Sequence, residues 1–128
     1  MKRRNYTRRA FSLLELTLVL LLIGILGSVA AVSMFGRAEK AKIQATEMSM
    51  EVIGSAISTY ILENNMAPAG VQSLVTEGYI QSGKTKDAWG QQFHYRITPE
   101  GPNEFELISL GKDPNNPQDD INYWLLNE

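Results

Sequence analysis

The chain is 128 residues long, with a formal net charge of −2 and no cysteine. That length bounds it to one small domain, and the lack of cysteine excludes a disulfide staple. Residues 1–10 hold Lys2, Arg3, Arg4, Arg8 and Arg9 and no acid, while residues 11–128 hold the other seven basic residues and all fourteen acids, a net of −7. A short basic tail ahead of an acidic body is not the basic face of a nucleic-acid binder, so no nucleic-acid partner is expected.

From Phe11 to Phe35 run 25 residues with one charge, Glu15. About 20 apolar residues at a rise of about 1.5 Å each cross a bilayer. The basic tail places the N-terminus in the cytoplasm and the C-terminal part outside. Three fates fit such a segment. It is a secretory signal peptide, with Ser28-Val29-Ala30 as a small-x-small site; or a plain single-pass anchor; or an export signal cut at its cytoplasmic edge, which leaves the helix on the mature protein. A signal-peptide core of about 7–15 residues is much shorter than this block.

Glu15 bears on the other two. An acid at the centre of a membrane helix costs about 2.5–3.5 kcal/mol, less near the edge, and calls for a partner. A cut between Ala10 and Phe11 would create an α-ammonium on Phe11. In a stack of identical copies that ammonium could meet Glu15 of a neighbour. Two unit charges about 4 Å apart attract by about 4 kcal/mol at an effective dielectric of about 20. Such a pair would favour assembly and fix the axial stagger between copies.

The run Arg8-Arg9-Ala10-Phe11-Ser12-Leu13-Leu14-Glu15-Leu16 resembles the class III prepilin signal of type IV pilins and type II secretion pseudopilins. In that family a basic leader ends in a small residue, usually glycine. An aromatic residue follows, and a glutamate stands fifth in the mature chain. Phe11 and Glu15 match those positions, Ser12, Leu13 and Leu14 match the three between, and Gly24 matches a glycine often found in this helix. Ala10 replaces the usual glycine, and Val32 stands where many members have proline. The resemblance implies cleavage after Ala10 by a prepilin peptidase and N-methylation of Phe11. It also implies a division into a leader at 1–10, a transmembrane and assembly half-helix at 11–35, and a periplasmic domain at 36–128.

Beyond Gly36 the composition turns polar, yet no proline occurs before Pro68. One helix is therefore expected from Phe11 to about Glu63, ending at Asn64 and Asn65. Its second half carries Ile43, Met48, Val52, Ile53, Ala56, Ile57, Tyr60 and Ile61 mostly at spacings of three and four, an apolar stripe for a core. Met48 and Met50 read as core fillers. Gly54 marks either a close approach or a weak point in the helix.

The remainder reads as α+β, a long helix packed on a small antiparallel sheet. A short helix is expected near Val71–Thr76, stopped at Gly78. A strand follows with Phe93, Tyr95 and Ile97 on one face and Gln92, His94 and Arg96 on the other. Residues 99–103 form a turn, and residues 104–110 a second strand with Phe105, Leu107 and Ser109 on one side. Residues 121–126 form a short last strand or a packed tail. His94 is the only histidine and falls on the polar face of its strand. No phosphate loop or catalytic constellation accompanies it. The chain is thus read as a structural subunit and not an enzyme.

Between the second strand and the tail, Asp113, Asp119 and Asp120 fall within eight residues, with Gly111, Pro114 and Pro117 bending the chain. Calcium takes 6–8 oxygen ligands from carboxylates, carbonyls and water. The spacing is not that of an EF-hand, and a solvated acidic turn fits the composition as well. The C-terminal half is similar to the major-pseudopilin branch of the same family. Asp87-Ala88-Trp89-Gly90 corresponds to that branch's Asp-Pro-Trp-Gly turn, and Gly111, Asp113, Asp119, Asp120 and Trp124 to its terminal loop, here about one residue shorter. This resemblance implies one Ca2+ held by Asp113, Asp119 and Asp120 and by the carbonyls of Leu110 and Pro117. A cysteine-free domain this small would gain from such a staple, whereas type IV pilins proper more often close this region with a disulfide.

The resemblance implies a pseudopilus subunit that polymerises in the periplasm and drives folded proteins across the outer membrane. Its implied partners are further copies of itself, the prepilin peptidase, an inner-membrane assembly platform with its ATPase, and minor pseudopilins. A type IV pilin for adhesion, motility or DNA uptake, and an anchored binding domain that never polymerises, are the alternatives.

Overall fold

The computed structural model describes residues 10–128; the expected leader, apart from Ala10, lies outside the described residues. In chain order the elements are helix α1 (Leu13–Asn64), helix α2 (Val71–Thr76), a 3-10 turn (Ser82–Lys84), strands β1 (His94–Ile97), β2 (Phe105–Ser109) and β3 (Ile121–Asn122), and a second 3-10 turn (Tyr123–Leu125). The chain divides into two compact units between Ala38 and Glu39. The fold is α+β, as expected.

In the second unit, α1 buries Thr46, Met50, Ile53, Gly54, Ala56, Ile57 and Tyr60. Positions 46, 50, 53, 57 and 60 recur at four and three, so they form one face. The expected stripe is corrected at three places. Ile43, Met48 and Val52 are 37%, 67% and 48% exposed, while Met50 is fully buried. At about 100° per residue, positions two before and two after Met50 fall on the far side of the helix, which puts Met48 and Val52 in solvent. The helix ends where Asn65 takes a left-handed conformation, φ +53°, a backbone state that asparagine tolerates at helix ends.

The sheet has order β1-β2-β3, antiparallel throughout, with Tyr95 opposite Leu107, Ile97 opposite Phe105, and Ser109 opposite Ile121. Strand β2 alternates as its sequence requires: Phe105, Leu107 and Ser109 are buried and Glu106 and Ile108 half-buried. Phe105 and Leu107 meet Met50, Ile53 and Ile57 of α1 and Leu74 of α2 in one core. Along residues 93–97 the alternation holds only at the start. Phe93 is buried and Tyr95 half-buried, but Ile97 is 45% exposed, because the hairpin end lines an open groove with Ile61 and Met66.

The tail combines both sequence expectations, since β3 spans two residues and a 3-10 turn follows. Tyr123 stacks on Phe105 at 5.6 Å between ring centroids, Trp124 lies 5.0 Å from the same ring, and the Trp124 Nε1–H donates to the Phe105 carbonyl at 2.7 Å. Gly54 is the opposite wall: a Cβ there would collide with the Tyr123 ring. Of the two roles open to Gly54, close approach is the one the fold uses.

Candidate functional site

Two places carry chemistry. At the first, Ala10 and Phe11 precede α1 and are both exposed, Phe11 by 88%. Ser12 caps the helix: its Oγ accepts from the Glu15 N–H at 3.1 Å and its carbonyl from the Leu16 N–H at 3.1 Å. Glu15 is thus the fourth residue of a Ser-x-x-Glu capping sequence, in the first turn where the helix dipole favours an acid. This second reason for Glu15 is legible in the spacing of Ser12 and Glu15 and adds to the assembly role expected for it. Beyond it, every residue from Leu16 to Phe35 is exposed. A helix apolar on all sides must be covered by lipid or by protein, and α1 is long and apolar enough here to cross a membrane.

The second place is the loop from Leu110 to Asp120 with the turn Asp87–Gly90 beside it. Asp87 is buried, 7% exposed, and so is Ser109, at 0%. Asp87 Oδ1 accepts from the N–H groups of Trp89 (3.0 Å) and Gln91 (2.8 Å), the first an Asx turn. Its Oδ2 accepts from the Ser109 hydroxyl at 2.8 Å. Ser109 Oγ in turn accepts from the Gly111 N–H at 3.2 Å, and Gln91 Nε2 donates to the Gly111 carbonyl at 2.9 Å. The same turn reaches α1, where buried Thr46 Oγ1 accepts from the Ala88 N–H at 3.1 Å.

Gly111 has φ +63°, and a Cβ on it would collide with the Asp119 carbonyl. Glycine is therefore required twice over, for conformation and for space. Asp119 Oδ2 accepts from the Asp113 N–H at 2.9 Å, while Asp119 Oδ1 is buried with no hydrogen-bond partner. Asp113 Oδ1 turns to its own loop and accepts from the Asn115 N–H at 3.0 Å. Pro117 is exposed on a turn and Leu110 half-buried. Asp120 lines a separate open groove of about 470 Å³ with His94, Arg96, Glu106 and Leu110. Asp113 and Asp119 are thus joined, while Asp120 faces the sheet. Among the described residues no three Asp, Glu or His side chains gather as a metal cluster.

The lone pairs of Asp119 Oδ1 test the loop against a cation. A buried carboxylate oxygen without a donor carries an unpaid desolvation cost, and a hard cation coordinated by oxygen removes it. The donor set is all oxygen, which suits calcium and not a soft metal.

Known proteins bear on both places. The sequence profile of the family described as type II secretion system (T2SS), protein G, matches residues 33–127. The chain belongs to the type II secretion system protein G family. It is 30% identical to the type II secretion system core protein G of Pectobacterium carotovorum subsp. carotovorum over 141 residues, covering 97% of this chain and 89% of that one. Against the core protein G of Escherichia coli (strain K12) it is 30% identical over 143 residues, covering 98% and 97%. Against that of Vibrio cholerae serotype O1 it is 30% identical over 127 residues, covering 88% and 84%. No solved structure matches the chain. The chain is therefore a type II secretion pseudopilin, a structural subunit of a protein-transport machine. The one helix among the described residues long and apolar enough to cross a membrane is compatible with a single-pass inner-membrane protein.

Sequence reasoning flagged Asp87-Ala88-Trp89-Gly90 as a turn and missed that its aspartate is the buried hub of the second place. The signal was there in Ser109, a hydroxyl on the inner face of an apolar strand, which must find a buried partner.

Proposed function

We propose that this chain is the major subunit of the type II secretion pseudopilus. It enters the inner membrane with residues 1–10 in the cytoplasm and the Glu39–Glu128 unit in the periplasm. Prepilin peptidase cuts after Ala10, and the new amine of Phe11 is methylated. Copies then polymerise, with their apolar helices together and Glu15 of each facing the Phe11 amine of another. An inner-membrane platform and its ATPase supply the work, minor pseudopilins cap the filament, and its growth drives folded proteins across the outer membrane. The observation that carries this is the run from Leu16 to Phe35, exposed on every side and preceded by one acid five residues into the cut chain. Association of such helices in lipid rests on packing and on the few polar contacts available.

The acidic loop is proposed to bind one Ca2+ through Asp113, Asp119 and Asp120 and the carbonyls of Leu110 and Pro117. The partnerless Asp119 Oδ1 supports this. When bound, the cation would cross-link the loop and serve as the staple this cysteine-free domain lacks.

Deletion in the parent bacterium tests the function. Loss of exoprotein release, with subunits confined to the periplasm and envelope, supports the pseudopilus. Intact secretion together with loss of a long surface fibre would assign the chain to the type IV pilins.

A further inference from the structure

Asp87, Ser109 and Gln91 lie outside the ligand set proposed for the cation, yet Ser109 and Gln91, both bonded to Asp87, reach Gly111 of the loop that carries it. Asp87 accepts three hydrogen bonds, two from amides on Oδ1 and one from a hydroxyl on Oδ2. What it does is orient one acceptor, the Ser109 hydroxyl oxygen, and one donor, the Gln91 side chain. Because the Ser109 hydroxyl donates to Asp87, a lone pair of that oxygen is free for the Gly111 N–H. Because Asp87 holds the backbone N–H of Gln91, the Gln91 side chain reaches the Gly111 carbonyl. Both polar groups of one peptide residue are therefore gripped from the same buried carboxylate.

Gly111 is the residue against which the loop folds back. Its missing Cβ is what lets the Asp119 main chain approach, so the two residues are packed directly against each other. Asp119 then spends Oδ2 on the Asp113 N–H and keeps Oδ1 buried and unpaired. Charge-assisted hydrogen bonds to a buried carboxylate are the strong ones, so this grip is stiff. It also continues into the helix through Thr46 and Ala88.

We propose that Asp87, Ser109 and Gln91 are positioning residues for the cation loop, holding Gly111 so that Asp119 presents its unpaired oxygen. This rests on the calcium reading above. Outer-shell groups of this kind change metal affinity by about 10–100-fold when removed.

The test uses the full chain in detergent with calcium as the only added ligand, reading the calcium dissociation constant by calorimetry and the melting temperature in EDTA. Gln91→Ala removes the grip on the Gly111 carbonyl from a partly exposed position. Gln91→Glu is nearly isosteric and adds a negative charge, which by simple attraction would tighten calcium. Both variants are expected to keep the melting temperature in EDTA near that of the parent and to weaken calcium by about tenfold or more. An affinity within about twofold of the parent for Gln91→Ala, or a tighter one for Gln91→Glu, overturns the positioning role. Asp119→Ala separates the two ideas. If the parent and Asp119→Ala respond to calcium alike, the calcium site itself falls. Amide exchange in EDTA then still decides the grip, since both Gln91 variants are expected to expose the Gly111 and Asp113 amides, and unchanged protection would overturn it.

Discussion

Residues 16–35 and 46–60 are successive lengths of α1 with opposite fates. Between Leu16 and Phe35 no residue is buried, although almost all are apolar; between Thr46 and Tyr60 seven are buried. The difference lies in arrangement. The later length sorts most of its apolar residues onto one face and so can bury them within its own domain. The earlier length is apolar all round and follows one acid, Glu15, so no single copy of a domain this small can cover it. Folding therefore completes one length, while the other awaits lipid or further copies.

Glu15→Ala strikes at the earlier length and carries the largest expected effect. Filament cross-links and exoprotein release are lost, while the melting of the Glu39–Glu128 unit stays as it was. Secretion at the parental level would show that Glu15 is only a helix-capping residue. Ile57→Ala strikes at the later length. Ile57 is fully buried, and its truncation is expected to cost about 2–5 kcal/mol in chemical denaturation. A loss under about 1 kcal/mol would mean the core is not centred there. Gly54→Ala is the subtler probe. In an open helix it would stabilise by about 1 kcal/mol. Here the added methyl meets Tyr123, and a net loss of about 1–3 kcal/mol is expected from overpacking, with altered tryptophan fluorescence from neighbouring Trp124. A raised melting temperature would show that the tail does not dock on α1.

The smallest effect at neutral pH is an alkaline one. Burial pushes the Tyr95 phenol up to about 12, burial also raises Tyr60, and the hydrogen bond to the Glu63 carboxylate raises Tyr79. A phenol whose folded pKa lies above its unfolded one stabilises the fold fully below the unfolded value and loses that contribution as pH rises through the folded one. Stability is therefore expected to be unaffected by these groups until about pH 10 and to fall from there toward pH 12. A melting temperature that stays level across that window would contradict the burial of Tyr95.

The apolar block, the helix ending at Asn64, and the alternation of β2 were legible because each is a local pattern with a fixed period. The stripe on α1 was legible only in part. Ile53, Ala56, Ile57 and Tyr60 are where periodicity puts them, but Thr46 is buried because a turn 42 residues later donates to it, which no local pattern encodes. The acidic loop was visible as composition. Its organisation was not, because Asp87, Ser109 and Gly111 meet across 24 residues of chain. The exposure of Ile97 likewise depends on where the hairpin runs past the helix.

The central claim is that the earlier length of α1 is covered by further copies of a chain cut after Ala10 and assembled from Phe11. The mass of the mature protein, purified from the membranes of its own bacterium, tests that most directly. The account predicts a chain beginning at Phe11 and heavier by one methyl group. A mass that starts at Met1, with the basic leader intact, would contradict it.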